Sequence, residues 1–259
     1  MSHGRIINIS GIAIILMVFS ASGCTTSEPV MVENSHVQVQ ALSNTIPMET
    51  MNEIAARSER IYTKLAAFFG RNPPSAVRVE LGAQQRIARS FAERITIVFP
   101  MRVVESKSVI IAHEMTHLFM PERHSEALRE GIAVYAQDRF GEVSGYPNYG
   151  VDVDRLLSRR LRDGVGKSVA SFSGAEAFFR RARGDGVGQP KLKWKDIDQE
   201  ARRNAYLAGG SFTRYLFEVE LQSDMTRFRT LYVGGDIPGV TGKSLQEIEA
   251  AWRQKIGLP

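Results

Sequence analysis

The chain has 259 residues, of which 43% are hydrophobic and 24% are charged, so its composition is that of an ordinary globular protein and excludes a disordered or collagen-like chain. Its net charge at pH 7 is +5, and the basic residues are scattered among acidic and apolar ones, as at Arg159-Arg160 and Arg202-Arg203. Because the sequence has no basic stripe with interleaved aromatic residues, we expect solvated helix faces and no nucleic-acid partner.

Residues 1–24 are predicted to be a bacterial export signal. Arg5 precedes an apolar run over 6–19, which is too short to span a bilayer comfortably but is typical of the apolar region of a signal peptide. Residues 21–24 (Ala-Ser-Gly-Cys) resemble the lipobox of bacterial lipoproteins, although Leu is more common at the position of Ala21. This resemblance implies cleavage before Cys24 and a lipid on that cysteine, which would anchor the protein to a membrane of the cell envelope, on the periplasmic side or at the cell surface. The alternative is plain secretion, since a lone cysteine forms no internal disulfide and can simply lie near a cleavage site.

The remaining chain is predicted to contain a tether and one domain. Residues 25–46 are polar and irregular, which favours a flexible tether, and residues 47–259 are expected to form the domain. Apolar residues at helical spacing predict a helix over 47–69, with Gly70 as its stop. Two β-favouring runs, 77–81 and 95–99, predict a small sheet.

The rest of the pattern is helical. A helix is predicted from Val103 to Phe119, ended by Pro121, and a second from Ser125 to Phe140, closed by Gly141. Shorter helical runs are predicted over 151–162, 174–183, 202–221, 225–232 and 245–256. The expected fold class is therefore α+β and mainly helical, with a small sheet that precedes the helix ending at Phe119.

Residues 113–117 (His-Glu-Met-Thr-His) carry the pattern with the clearest chemistry. Two histidines four residues apart on a helix project from one face, which lets both imidazoles bind one metal ion. Glu114 lies about 100° further round the helix, where it can act as a general base on a water bound to the metal. Two imidazoles and a carboxylate suit Zn²⁺, although cobalt or manganese can substitute.

A catalytic zinc needs a third protein ligand, and three candidates follow in the sequence. His124 would fit a metzincin pattern, but the glycine required by that pattern is absent. Glu126 and Glu130 share a helix face, and Glu126 is well placed as a solvated acid at the start of the helix. Glu130 precedes a glycine and an apolar face, where burial without a cation would be costly. We therefore expect Glu130 to be the third ligand.

The residues at 113–117, followed by residues 130–135 (Glu-Gly-Ile-Ala-Val-Tyr), resemble the gluzincin zinc metallopeptidases, and most closely their compact peptidase MA-like members. The resemblance covers about residues 50–257 and includes a Tyr-x-x-x-x-Ser-Phe-x-x-Tyr-Leu helix over 206–216. It implies a zincin-like domain with His113, His117 and Glu130 as ligands and Glu114 as a catalytic residue. In related gluzincins a tyrosine stabilises the oxyanion, which makes Tyr206 the second catalytic candidate, with a packed aromatic as the alternative. Arg214 and Tyr215 stay unassigned.

Together these features predict a zinc-dependent hydrolase of peptide bonds in the bacterial cell envelope, with a peptide or protein as substrate. The Gly-x-Met-Glu-Asn segment of the aminopeptidases is missing, which favours an endopeptidase. The strand that ends near Phe99 is expected to offer an edge for extended substrate backbone. The alternatives are an envelope lipoprotein with a non-catalytic metal centre, a hydrolase of cell-wall amides, and a surface interaction protein that uses its arginine-rich helices.

Overall fold

A computed structural model describes residues 7–9, 12–14, 30–85, 87–122, 124–184, 192 and 197–258. Within it the chain forms two compact units, residues 1–119 and 120–259, so the domain predicted over 47–259 includes parts of both. The predicted lipidation residue Cys24 and most of the predicted export signal lie outside the described residues. Among the described residues, no helix combines the length and the apolar character needed to cross a membrane.

The first unit contains a mixed sheet. Its strands are β1 (Ile7–Ile9), β2 (Ile12–Ile14), β3 (Met31–Glu33), β4 (Val37–Ala41), β5 (Val77–Ala83), β6 (Arg89–Phe91) and β7 (Thr96–Pro100). The strand order is β1-β2-β3-β4-β5-β7-β6, in which β5 pairs in parallel with both β4 and β7, and the other neighbours are antiparallel. The helices of this unit are α1 (Met48–Phe69), α2 (Met101–Glu105) and α3 (Ile111–Phe119).

Strands β3 and β4 lie inside the segment 25–46 that the sequence predicted as a flexible tether, so residues 31–33 and 37–41 are strand instead of irregular chain. In β4 the side chains alternate, with Val37 and Val39 fully buried and the intervening glutamines partly exposed. Strand β4 also pairs with β5 across the whole of α1, which makes β4, α1 and β5 one βαβ unit. A polar composition hid this strand because half of its residues face away from the core.

Helix α1 confirms the helix predicted over 47–69. Its buried face includes Met51, Leu65 and Phe69, and it packs on β4 and α3. Gly70 ends it in the left-handed conformation, with a φ of 60°, and the Gly70 amide donates to the Ala66 carbonyl.

The helix predicted from Val103 to Phe119 is in fact two helices. Helix α2 ends at Glu105, and α3 begins only at Ile111. Between them Lys107 has a φ of 53°, and the Ser108 amide donates to the Val103 carbonyl, so the chain turns before it enters α3. The short polar side chains of Ser106 and Ser108 compete for local hydrogen bonds, which favours a break here.

The expected sheet edge is also different. Strand β7 is buried along its whole length and is paired on both sides, with β5 on one side and β6 on the other. The backbone of residues 96–98 is therefore already paired on both sides, and the prediction that this strand offers an edge to substrate is wrong for that stretch. At this end of the strand order, the outermost strand is β6.

The described residues of the second unit form helices and loops. The helices are α4 (Glu126–Phe140), α5 (Val153–Arg162), α6 (Phe172–Arg183), α7 (Gln199–Tyr215), α8 (Met225–Val233), α9 (Ile237–Thr241) and α10 (Leu245–Lys255). A π-helical turn over Leu216–Glu220 continues α7. The protein is therefore mainly helical α+β, with the sheet before α3, as the sequence predicted.

The centre of the second unit is the contact between α4 and α7. Gly131 of α4 lies against the backbone of Gly209, and a methyl group added at Gly131 would stand only 2.4 Å from the Gly209 carbonyl oxygen. Next to this contact, the fully buried Trp252 of α10 donates from Nε1 to Ser211 Oγ of α7 at 2.9 Å. Because Gly131 and Gly209 have no side chains, the backbones of α4 and α7 can approach closely.

Candidate metal centre

Both predicted histidine ligands lie on α3, and all nine residues of this helix are buried. The rings of His113 and His117 have centroids 5.2 Å apart and planes at 89° to each other, so both imidazoles stand on one face of the helix. At the end of the helix, the ring of Phe119 contacts Tyr62 and Phe69 of α1. Packing against α1 therefore fixes the direction of the histidine face.

Glu114 follows His113 on the same helix and is 7% exposed. Burial of a carboxylate is costly unless charged or hydrogen-bonding groups offset it, so a buried acid next to His113 is a candidate functional residue. On α3 Glu114 lies one residue after His113, about 100° further round the helix axis.

Glu130 lies in the first half of α4, which Ser125 caps by accepting from the Leu128 amide at 3.1 Å. The Glu130 side chain is buried, and two arginines of the described residues donate to its Oε1. One hydrogen bond comes from Arg129 Nη1 at 2.7 Å and the other from Arg183 Nη2 at 3.0 Å. Glu130 is therefore a buried carboxylate rather than a solvated acid at a helix start.

His113, His117 and Glu130 form one buried group, in which a ligand atom from each side chain lies within 4.8 Å of the others. Two imidazoles and one carboxylate at such distances could bind a metal ion. The donor set fits zinc well, because zinc accepts nitrogen and oxygen ligands and leaves a position open when the protein supplies three.

The two rejected ligand candidates have other surroundings. His124 is exposed in the loop before α4. The Oε2 atom of Glu126 forms an ion pair with Arg183 Nη2 at 2.7 Å. Neither residue belongs to the buried three-residue group.

Tyr206 lies on α7 among aromatic rings. Its ring centroid is 5.0 Å from that of Phe179 and 5.3 Å from that of Tyr146, and the Arg202 guanidinium lies 5.8 Å from it. Burial raises the pKa of Tyr206, and the negative charge of Glu130 raises it further. The hydroxyl therefore keeps its proton at neutral pH and can act as a donor.

Arg214 and Tyr215, which the sequence left unassigned, both have partners within the second unit. Arg214 forms ion pairs with Asp152 at 2.7 Å and with Glu218 at 3.4 Å. The hydroxyl of Tyr215 donates to Glu220 Oε1 at 2.8 Å, and burial followed by this hydrogen bond raises the pKa of Tyr215 to about 12. Both residues therefore have structural partners.

Sequence reasoning missed two residues of the site, Arg129 and Arg183, which both donate to Glu130. Arg129 is the neighbour of Glu130 in the sequence and could have been suspected for that reason. Arg183 is 53 residues away, at the end of α6, and nothing in the linear pattern distinguishes it from the adjacent arginines.

No family model matches the sequence, and comparison with curated proteins found no match either. The case for a metal centre therefore rests on the residues of this chain and on their arrangement.

Proposed function

We propose that this protein is a zinc metallopeptidase of the gluzincin type that works in the bacterial cell envelope. The observation that carries the proposal is the buried group of His113, His117 and Glu130, together with Glu114 on the histidine helix. A purely structural metal centre has no use for a buried acid beside the ligands, so Glu114 favours a catalytic centre over the non-catalytic alternative.

In this proposal His113, His117 and Glu130 hold the ion. Zinc bound there would act as a Lewis acid on the scissile carbonyl and make a water molecule more acidic. Glu114 accepts the proton of the attacking water and delivers it to the leaving amine. The burial of all four side chains limits their access to bulk water, which strengthens the electrostatic interactions among them.

The proposal also places the protein at a membrane through a lipid on Cys24, with peptides or proteins of the envelope as substrates. It is supported by the resemblance of residues 21–24 to a lipobox. Growth of the producing cell with a labelled fatty acid tests this part, and a full-length chain that takes up no label would refute it.

Metal analysis tests the centre itself. We expect the purified protein to contain one zinc per chain. We expect Glu130→Ala to weaken zinc binding by more than about 100-fold, because Glu130 binds the metal directly in this proposal. Loss of a residue that only hydrogen-bonds to a metal ligand already changes metal affinity about 10- to 100-fold. Zinc at 100 times its dissociation constant should stabilise the protein by about 2.7 kcal/mol, so a chelator should lower the melting temperature. The matched control is His124→Ala, which removes an exposed imidazole and should change neither value. A Glu130→Ala protein that binds zinc as tightly as the wild type would contradict the ligand set.

Tyr206 has its own test. If its hydroxyl stabilises the oxyanion, Tyr206→Phe should lower kcat by about 100-fold, the typical loss for one such donor, with zinc affinity unchanged. The ring and its contacts with Phe179 and Tyr146 are retained in this variant. An unchanged kcat would instead show that Tyr206 is a packing residue.

A further inference from the structure

Arg183 of α6 contacts two carboxylates of α4. It is the last residue of α6, and its Nη2 atom lies 2.7 Å from Glu126 Oε2 and 3.0 Å from Glu130 Oε1. One guanidinium nitrogen thus bridges two carboxylates that are one turn apart on α4. By contrast, Arg180 and Arg181 of the same helix are exposed.

A second contact joins α6 to α4, and on α6 it lies two turns before Arg183. Glu176 Oε2 accepts from the Ser125 hydroxyl and from the Ala127 amide, both at 2.8 Å, and so binds the first turn of α4. Residues seven apart on a helix share one face, so Glu176 and Arg183 present an acid and a base to α4 from the same side of α6. Helix α6 therefore holds α4 at its amino-terminal turn and again at Glu130.

Within the part of the chain that the structure describes, Arg129 and Arg183 donate to Glu130, and Arg183 is the one that comes from another helix. Arg129 is adjacent to Glu130 on α4 and follows any movement of that helix. The hydrogen bond from Arg183 instead fixes the Glu130 carboxylate relative to α6, a separate helix. The Arg183 side chain is 28% exposed, whereas that of Glu130 is 7% exposed. Partners of this kind orient metal-binding carboxylates and typically change metal affinity by about 10- to 100-fold when they are removed.

We propose that Arg183 is a positioning residue for the metal ligand Glu130, and that helix α6 holds Arg183 in place for this role. This inference rests on the proposed function, since it assigns a role at the same centre. In this role Arg183 acts through Glu130 and not on the ion or the substrate itself. It holds the carboxylate plane of Glu130 in the direction in which the ligand is needed, so that little side-chain freedom is lost when zinc binds.

The test is zinc affinity, measured by competition with a coloured chelator, and the visible spectrum of the protein loaded with Co²⁺. Arg183→Met keeps a long apolar side chain but removes every donor, and we expect about 10- to 100-fold weaker zinc binding and an altered Co²⁺ spectrum. Arg183→Lys keeps one cationic donor group and should fall between the wild type and Arg183→Met. The matched control is Arg181→Met, which removes an exposed arginine of the same helix and should leave both measurements unchanged.

The outcomes separate this inference from the proposed function. A wild-type protein that binds no zinc would refute the metal centre and the role of Arg183 with it. A wild type that binds zinc, with Arg183→Met within twofold of it and an unchanged Co²⁺ spectrum, would refute only the role of Arg183. If circular dichroism shows that Arg183→Met does not fold, Arg183→Lys decides in its place, and an affinity and spectrum equal to the wild type would overturn the proposal.

Discussion

Glu114→Gln is expected to bind zinc like the wild type and to lose about 10²- to 10⁴-fold in kcat, the usual contribution of a general base. Glutamine has nearly the same shape as glutamate, so the packing of the buried helix α3 and the directions of His113 and His117 should be retained. The amide cannot accept a proton from water at neutral pH, so the rate of the chemical step should fall while zinc affinity stays the same. The measurement is hydrolysis of a fluorescently labelled unfolded protein, with zinc content determined on the same samples.

Glu105→Gln is the matched control for this prediction. It makes the same chemical change on the preceding helix α2, where the side chain is exposed, and should leave both hydrolysis and zinc content unaltered. Equal activity of Glu114→Gln and the wild type would show that the peptidase mechanism is wrong. Loss of activity confined to peptidoglycan substrates would instead favour the cell-wall amide alternative.

Gly131→Ala is expected to cost about 3 kcal/mol of unfolding free energy, at the upper end of the range for overpacking a core. The new methyl group would lie 2.2 Å from Thr213 Oγ1 and 2.4 Å from the Gly209 carbonyl oxygen, and the second of these is backbone that no rotamer change can move. Helices α4 and α7 must separate to accept it, which also displaces Glu130, the neighbour of Gly131. Chemical denaturation measures the stability, and we expect weaker zinc binding in the same variant.

Gly70→Ala is the control for Gly131→Ala, because it adds the same methyl group at a position where no neighbouring atom is close. At Gly70 the added methyl group meets no atom within 4 Å, and the only penalty is the left-handed φ of 60°, worth about 1–2 kcal/mol. This variant should therefore be less destabilised than Gly131→Ala, with zinc affinity unchanged. Equal stability of Gly131→Ala and the wild type would mean that α4 and α7 are further apart than the structure shows.

The arrangement of the two histidines was predictable because their relation is local. Helical periodicity alone places His113 and His117 on one face, and the structure has them there, with ring centroids 5.2 Å apart. Similarly, Gly70 as a helix stop and Ser125 as a helix cap depend on the conformations and hydrogen bonds of a few neighbouring residues. Sequence reasoning is strongest where the controlling interactions span one or two turns.

The strands and helix breaks show where this reasoning fails. The sequence predicts a tether at Val37 and Val39 because their run is short and half polar, and these residues become core only by pairing with β5 across α1. The break between α2 and α3 at Lys107 interrupts a pattern that otherwise favours one helix. In both places an interaction or a turn outside the local apolar pattern determines the structure.

By itself the sequence determined most of the helices and the chemical groups at the candidate site, namely two imidazoles, a carboxylate next to one of them and an acid followed by glycine. Only the tertiary structure decided what surrounds that acid. Arg183 reaches Glu130 from 53 residues away, and Gly131 meets Gly209 on another helix. The physical reason is that periodicity fixes which way a side chain points from its own helix, whereas the partner it finds depends on packing between helices that no local pattern encodes.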